Sequence, residues 1–193
     1  MSDTYHHGNL RQALIEAGIR IINEQGEAAL SLRKVAAACE VSHAAPYAHF
    51  KDKEELLAAM KSSVTEQFTA QLLQAVAGAD GASAAGAEQK ILAMGRAYIS
   101  FFSHNPDYFT FLFGKQKLVA HLRMDEDHEE DYPPFKLLKT VFRQYLKESG
   151  RALSPAEQEV GLIKIWSSVH GMAALACMAG VETTIDWEQI ELD

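Results

Sequence analysis

Ser31, Lys34, Ser42, His43, Tyr47, His49 and Lys53 gather hydroxyl, imidazole, phenol and ammonium groups into one short stretch, residues 31–57. No Ser-His-Asp, Cys-His or paired-carboxylate arrangement can be placed in the chain, and no phosphate-cradling glycine loop is present. The chemistry these groups suit is therefore recognition, hydrogen bonding to base edges and phosphates, and a non-enzymatic protein is expected. The stretch reads as two short helices separated by a tight turn, followed at once by the start of a third. Ser31 can cap a helix with Leu32, Val35, Ala36 and Cys39 inward. Ser42 can cap a second, mostly small-residue helix that ends in Tyr47, His49 and Phe50. Small residues with a polar-aromatic rim suit a helix that enters a groove. The pattern is a helix-turn-helix, and it points to DNA.

The elements around this stretch are helical. Strand signals are almost absent, and apolar residues recur at helical spacing throughout, so the expected fold class is all-α. A first helix over 9–25 buries Leu10, Leu14, Ala17 and Ile21 and stops at Gly26. Asp52 caps a long helix with Glu55 in capping-box position, carrying Leu56, Leu57, Met60, Val64, Phe68 and Leu72. Residues 75–87, nearly all alanine, glycine and serine, read as a flexible loop. Helices are expected over 88–103, over 107–113 after the Asn105-Pro106 start signal, and over 135–148 before Gly150. Another is expected from Pro155 to about residue 180, opened by Ser154-Pro155-Ala156-Glu157, and a last short one over 185–192. Residues 1–53 form a DNA-binding domain on this reading, and 54–193 a second helical domain.

The net charge of −8 over 193 residues looks wrong for a nucleic-acid binder, but its distribution matters more than its sum. Residues 1–63 carry seven bases against eight acids, whereas the remainder carries eleven bases against eighteen acids. The acidity belongs to the C-terminal part, and DNA binding is left to a small local patch that salt would screen quickly. No apolar run is long enough to cross a bilayer, and the first residues lack the layout of a signal peptide. With only Cys39 and Cys177, both in apolar helical contexts, the expected location is cytoplasmic.

Residues 9–60 resemble the N-terminal DNA-binding domain of TetR-type transcriptional regulators. The matches are Gly26, Ser31, Val35-Ala36, Val41-Ser42, Tyr47, His49-Phe50, Lys53, Glu54 and Leu56-Leu57. Residues 5–11, Tyr-His-His-Gly-Asn-Leu-Arg, and residues 166–171, Trp-Ser-Ser-Val-His-Gly, resemble the subgroup whose C-terminal domain is named for a Trp-His-Gly motif. The resemblance implies that Tyr47, His49 and Lys53 contact the DNA backbone. Geometry adds Ser31 and Lys34 as phosphate contacts from the preceding helix. Ser42 would start the recognition helix, with His43 at a base edge or phosphate and Ala44 and Ala45 close enough to touch thymine methyls. Three residues depart from the pattern. Glu40 stands where the family usually has glycine, and a left-handed backbone there would be costly. Pro46 would shorten or tighten the recognition helix, and Ala48 leaves the place beside His49 without a base.

The resemblance further implies a helical domain that binds a small inducer and dimerises. Met94, Tyr98, Phe101, Phe102, Tyr108, Phe109 and Leu112, with Phe111 and Phe113 nearby, offer a wall for a largely apolar molecule. Trp166 and His170 lie four apart on one helical face and could meet the same ligand. Ordinary core packing is the alternative reading for each of these residues. The 155–180 helix is apolar almost all round, so it needs partners on two sides and is expected at a two-fold homodimer interface, with the 135–148 helix as a companion. Paired recognition helices about 34–36 Å apart would then read a palindromic operator. The acidic run 125–131 is expected to be a solvated loop rather than a metal site, because it lacks the glycine and alternation of a calcium loop. No cofactor is expected. The leading expectation is a ligand-responsive repressor of double-stranded DNA with no membrane association. The alternative is a helical ligand carrier or protein-interaction module with weak or lost DNA binding.

Overall fold

The computed structural model describes residues 10–80, 86–114, 118–187 and 190, and among them every regular element is helical. The α-helices are α1 (Leu10–Gln25), α2 (Leu32–Ala38), α3 (Lys53–Asp80), α4 (Ala87–His104), α5 (Pro106–Phe113), α6 (Pro133–Ser149) and α7 (Pro155–Ala176). No helix among the described residues is long and apolar enough to cross a membrane.

Helix ends follow the capping residues closely. Gly26 leaves α1 at φ 82°, a conformation open to glycine, with its N–H on the Ile22 carbonyl. The Ser31 hydroxyl accepts from the Lys34 N–H at 3.2 Å and opens α2. Asp52 accepts from the Glu55 N–H at 2.8 Å, while the Glu55 carboxylate reaches back to the Lys51 N–H at 2.6 Å. Ser154 and Glu157 form a complete capping box at the head of α7. Gly150, at φ 64°, ends α6. One cap comes from another helix: Glu148 of α6 accepts the Ala87 N–H at 2.6 Å, an anion at the positive end of α4. That bond holds the Glu148 carboxyl below the usual carboxylate range.

Three expectations change, and a fourth falls half outside the described residues. The alanine-rich 75–80 segment is the end of α3 rather than loop, because alanine is the strongest helix former and a single Gly78 does not break the run. Residues 81–85, the rest of that expected loop, lie outside the described residues. Asn105 stands at the cap position of α5, but its amide donates to the Phe101 carbonyl at 2.8 Å and closes α4 instead. Helix α7 ends at Ala176, short of Gly180, as a three-residue turn from Leu175 to Met178 replaces the α-helical pattern. Half of the expected final helix, 188–189 and 191–192, lies outside the described residues, and 177–186 are turn and coil.

The 28-residue α3 is the common element of the fold. Its early residues Leu56 and Met60 are buried with Leu14, Ile15 and Val35 of the first helices, where the absence of a side chain on Gly18 makes room for the Met60 sulfur. Its later residues Phe68 and Leu72 are buried in the second half, with the Phe68 ring 5.0 Å from Tyr98 and 4.7 Å from Phe102. Helix α4 lies at the centre of that half, with α3, α6 and α7 packed against it. Gly161 of α7 fits beneath Phe142 of α6, where an added Cβ would lie 2.7 Å from the ring.

The acidic run is a loop, but not simply a solvated one. Asp131 is buried, and the ammonium of the buried Lys139 donates to the carbonyls of His121 and Glu126. Arg143 donates to the Met124 carbonyl and to Asp127, each at 2.7 Å. Two cations on α6 thus tether the loop that carries the acidic run.

Candidate nucleic-acid interface and effector cavity

The first candidate site is the reading head. Helix α2 gives way to a tight turn in which Glu40 adopts φ 55° and the Val41 N–H returns to the Ala36 carbonyl at 3.0 Å. An α-helix headed by Ser42, as the sequence suggested, does not form. Its first bond would run from the N–H of residue 46 to the Ser42 carbonyl, and Pro46 has none. The Ala45 N–H takes that carbonyl at 3.0 Å instead, and 45–48 wind as a 3₁₀ turn with Pro46 buried.

Around that turn most of the candidate contacts are open to solvent. Ser31, Ser42, His43, Ala44 and Tyr47 are exposed, and Ala45 and His49 are half-buried. Phe50 is buried, with the Arg11 guanidinium over its ring at 5.4 Å. The half-buried Lys34 reaches Gln25, and Lys53 donates to the Glu27 carbonyl at 2.8 Å. Both ammonium groups are thereby held at the edge of the head. Arg33 and Lys51 are exposed within the same stretch of chain and were not singled out by the sequence reading. Their only sequence signal is charge next to the helix-turn-helix. Hydroxyl, imidazole and phenol donors flanked by four cations suit phosphate positioning with few direct base contacts.

The second candidate site is a cavity in the second half. It is lined by Leu72 of α3; Ile91, Met94, Gly95 and Tyr98 of α4; Tyr132, Pro134, Phe135 and Leu138 at the start of α6; and Ile165, Trp166 and Val169 of α7. It measures about 30 Å³, space for roughly two waters. No lining residue is charged.

Only part of the expected aromatic wall faces this space. Met94, Tyr98 and Trp166 line it. Phe101, Phe102 and Leu112 are buried core, and the rings of Phe101 and Phe102 pack on Phe68. Tyr108 lies beside Phe101, and Phe109 beside Phe102 and His170. His170 stands behind the wall, with its Nδ1 2.8 Å from the Tyr98 hydroxyl and its ring 4.7 Å from that of Phe113. Burial holds His170 below the ordinary histidine value, so it is neutral and can accept the Tyr98 proton. Burial also pushes the Tyr98 hydroxyl well up, against a hydrogen bond with Trp166 that pulls the other way. The sequence reading missed Leu72, Ile91, Gly95, Tyr132, Pro134, Phe135, Leu138, Ile165 and Val169. Of these, Ile165 and Val169 flank Trp166 at helical spacing and were within reach of a pattern argument. The Tyr132 hydroxyl is buried beside Thr65, and burial pushes its pKa up.

Both halves match known families. Residues 14–60 match the model of the bacterial regulatory proteins of the tetR family, and residues 91–190 match a tetracyclin repressor-like C-terminal domain. No match was found among curated proteins. A solved Rhodococcus sp. RHA1 protein of unknown function is 25% identical, with a TM-score of 0.65 over 94% of this chain and 91% of that one. A solved Pseudomonas aeruginosa PAO1 protein is 20% identical, with a TM-score of 0.70 over 96% and 86% of the two chains. A TetR-family transcriptional regulator of Haemophilus influenzae Rd is 21% identical, with a TM-score of 0.59 over 88% and 86%. By its two domain matches the chain belongs to the tetR family of bacterial transcriptional regulators.

Proposed function

We propose that this regulator is a homodimeric repressor, released from a palindromic operator by a small, uncharged and largely apolar molecule. The observation that carries the reading is α3. One continuous helix is buried against Gly18 and Leu14 at one end and places Leu72 in the cavity wall at the other. From Lys53 to Leu72 it spans about 28 Å. A ligand that enlarges the cavity must move a wall that is rigidly joined to the reading head.

The uncharged ligand follows from the lining. A carboxylate or ammonium buried there would have no counter-charge, and burial of an unpaired ion costs far more than apolar contact returns. Pockets for drug-sized ligands run to about 300–1,000 Å³. At its present size the cavity does not admit a drug-sized molecule, so binding requires a more open arrangement. The shift cannot exceed the ligand's differential affinity for the two states.

Dimerisation is read from α7. Val160, Ile163 and Leu175 are exposed apolar residues along this helix, Met178 just beyond its end is exposed too, and Gly171 faces open space. Gly161 is occupied by Phe142 of the same chain, so Gly171 is the place left for close approach. A second copy would cover this face, with residues 1–53 as the paired DNA-binding units and 54–193 as the ligand-binding and dimerisation domain.

Selection of bound sequences from a random DNA pool, followed by anisotropy across a salt series, tests the reading. A palindromic consensus and a steep fall of affinity with salt are expected. Absence of DNA binding at low salt would overturn it and favour a ligand-carrier or protein-interaction role.

A further inference from the structure

We propose that His121, His128 and Glu130 form a binding site for a divalent ion of the zinc type on the loop in front of α6. One side-chain ligand atom from each residue lies within 4.8 Å of the other two. Tetrahedral zinc, with bonds of about 2.0–2.2 Å, sets its ligand atoms about 3.4 Å apart. No pair is thus more than about 1.4 Å from closure, and Glu130 is an exposed side chain able to supply the movement.

The two imidazoles are stacked with centroids 3.9 Å apart and planes inclined by 30°. Each has one nitrogen committed to a carboxylate outside the ligand set. His121 Nδ1 lies 2.8 Å from Asp131 Oδ1, and the same oxygen accepts the His121 backbone N–H at 2.8 Å. Asp131 is buried, so it fixes the ring orientation and leaves Nε2 to present a lone pair. His128 Nε2 lies 3.3 Å from Glu126, leaving Nδ1 on the side of Glu130, 3.9 Å from its carboxylate. Carboxylate-oriented histidines of this kind are the usual support of a metal centre.

The backbone beneath the cluster is held from below. Lys139 donates to the carbonyls of His121 and Glu126, and Arg143 to that of Met124, so both histidines sit on fixed segments before any ion arrives. Two nitrogens and one carboxylate favour zinc and its neighbours over calcium, which takes six to eight oxygens. Three protein ligands leave a fourth position for water. The ion would fasten 121 to 128–130 and so brace Tyr132, which adjoins the loop and lines the cavity.

The test uses the full chain stripped with a chelator, titrated with zinc by calorimetry and with cobalt by visible absorption. One ion per chain and a tetrahedral cobalt spectrum are expected. His128→Gln and His121→Gln should abolish both, and Asp131→Asn should weaken zinc about 10–100-fold by releasing His121. Circular dichroism verifies folding; the His128 ring is partly exposed and meets Glu126 and Glu130 within the loop, so its variant serves if the Asp131 variant does not fold. His6→Gln/His7→Gln controls for the N-terminal histidine pair and should change nothing. Zinc binding that is absent from the native chain, survives in the doubly substituted His121/His128 variant, or is lost with His6 and His7 overturns the proposal.

Discussion

The Asn23 side chain, in the last turn of α1, donates to the Asp107 carbonyl in the first turn of α5 at 2.8 Å, across 84 residues of chain. It is a polar tie between the reading head and the aromatic helix of the second half. Helix α5 in turn places Phe109 and Phe113 against His170, which reaches the cavity through Tyr98. Asn23→Ala should therefore cost little stability, about 0.5–1.5 kcal/mol for one hydrogen bond. The loss is offset in part because the buried Asn23 Oδ1 has no partner to lose. The informative change is in coupling. Operator affinity without ligand should stay within a few-fold, while the ligand's power to release DNA falls. Anisotropy titrations with and without ligand measure both, and an unchanged release would remove α5 from the route.

Glu40 is the one non-glycine residue with positive φ among those described. A left-handed conformation costs an L-residue roughly 1–2 kcal/mol, and glycine gives back about 0.5–1 in chain entropy. Glu40→Gly should raise stability by roughly 0.5–1 kcal/mol on those terms. It also removes a carboxylate next to the DNA-facing turn, so affinity for any duplex should rise most at low salt. A fall in melting temperature would show that the Glu40 side chain has a stabilising role not visible in its contacts.

Local signals in the sequence carried the helix ends. Gly26, Ser31, Asp52, Gly150 and Ser154 each act through bonds to near neighbours, so their effect is legible within a few residues. The same locality exposed Pro46 as a problem, although the outcome, a 3₁₀ turn, depends on Ala45 taking the Ser42 carbonyl. The ligand wall was legible only in part. Periodicity shows that Phe101 and Phe102 face inward, but not that Phe68, thirty-three residues away, fills the space before them. His121 went unnoticed for a similar reason. It stands ten residues before Asp131, outside the acidic run, and only the folded loop brings them together.

His170 gives a pH prediction. Burial lowers its folded-state value below the ordinary one of about 6.5, so the unfolded chain binds a proton that the folded chain resists. Its contribution is fully present above the unfolded value and is lost as pH falls through and below about 6.5. His170→Asn should therefore flatten the decline of melting temperature between about pH 7 and pH 5 relative to the native chain. Tyr98→Phe, which strands His170 Nδ1 in an apolar setting, should cost about 1–3 kcal/mol at neutral pH. If both variants track the native pH profile, the Tyr98–His170 bond does not set the protonation state of the site.

The exposed side of α7 yields the sharpest test of assembly. Ile163 and Leu175 are 46% and 47% exposed in the single chain, so they add little to its own core. An exposed apolar stripe of this kind is normally covered by a partner. Ile163→Glu and Leu175→Glu leave the monomer's packing untouched but would bury like charges against each other across a two-fold axis, where each residue approaches its own copy's surroundings. Circular dichroism should be unchanged while sedimentation shifts from dimer to monomer. Operator binding should then fall by about 10²–10⁴, because the second half-site is no longer engaged by a linked head. If the variants remain dimeric, the interface lies on another face of the helical domain; if they become monomeric yet hold the full operator affinity, one head alone reads the site.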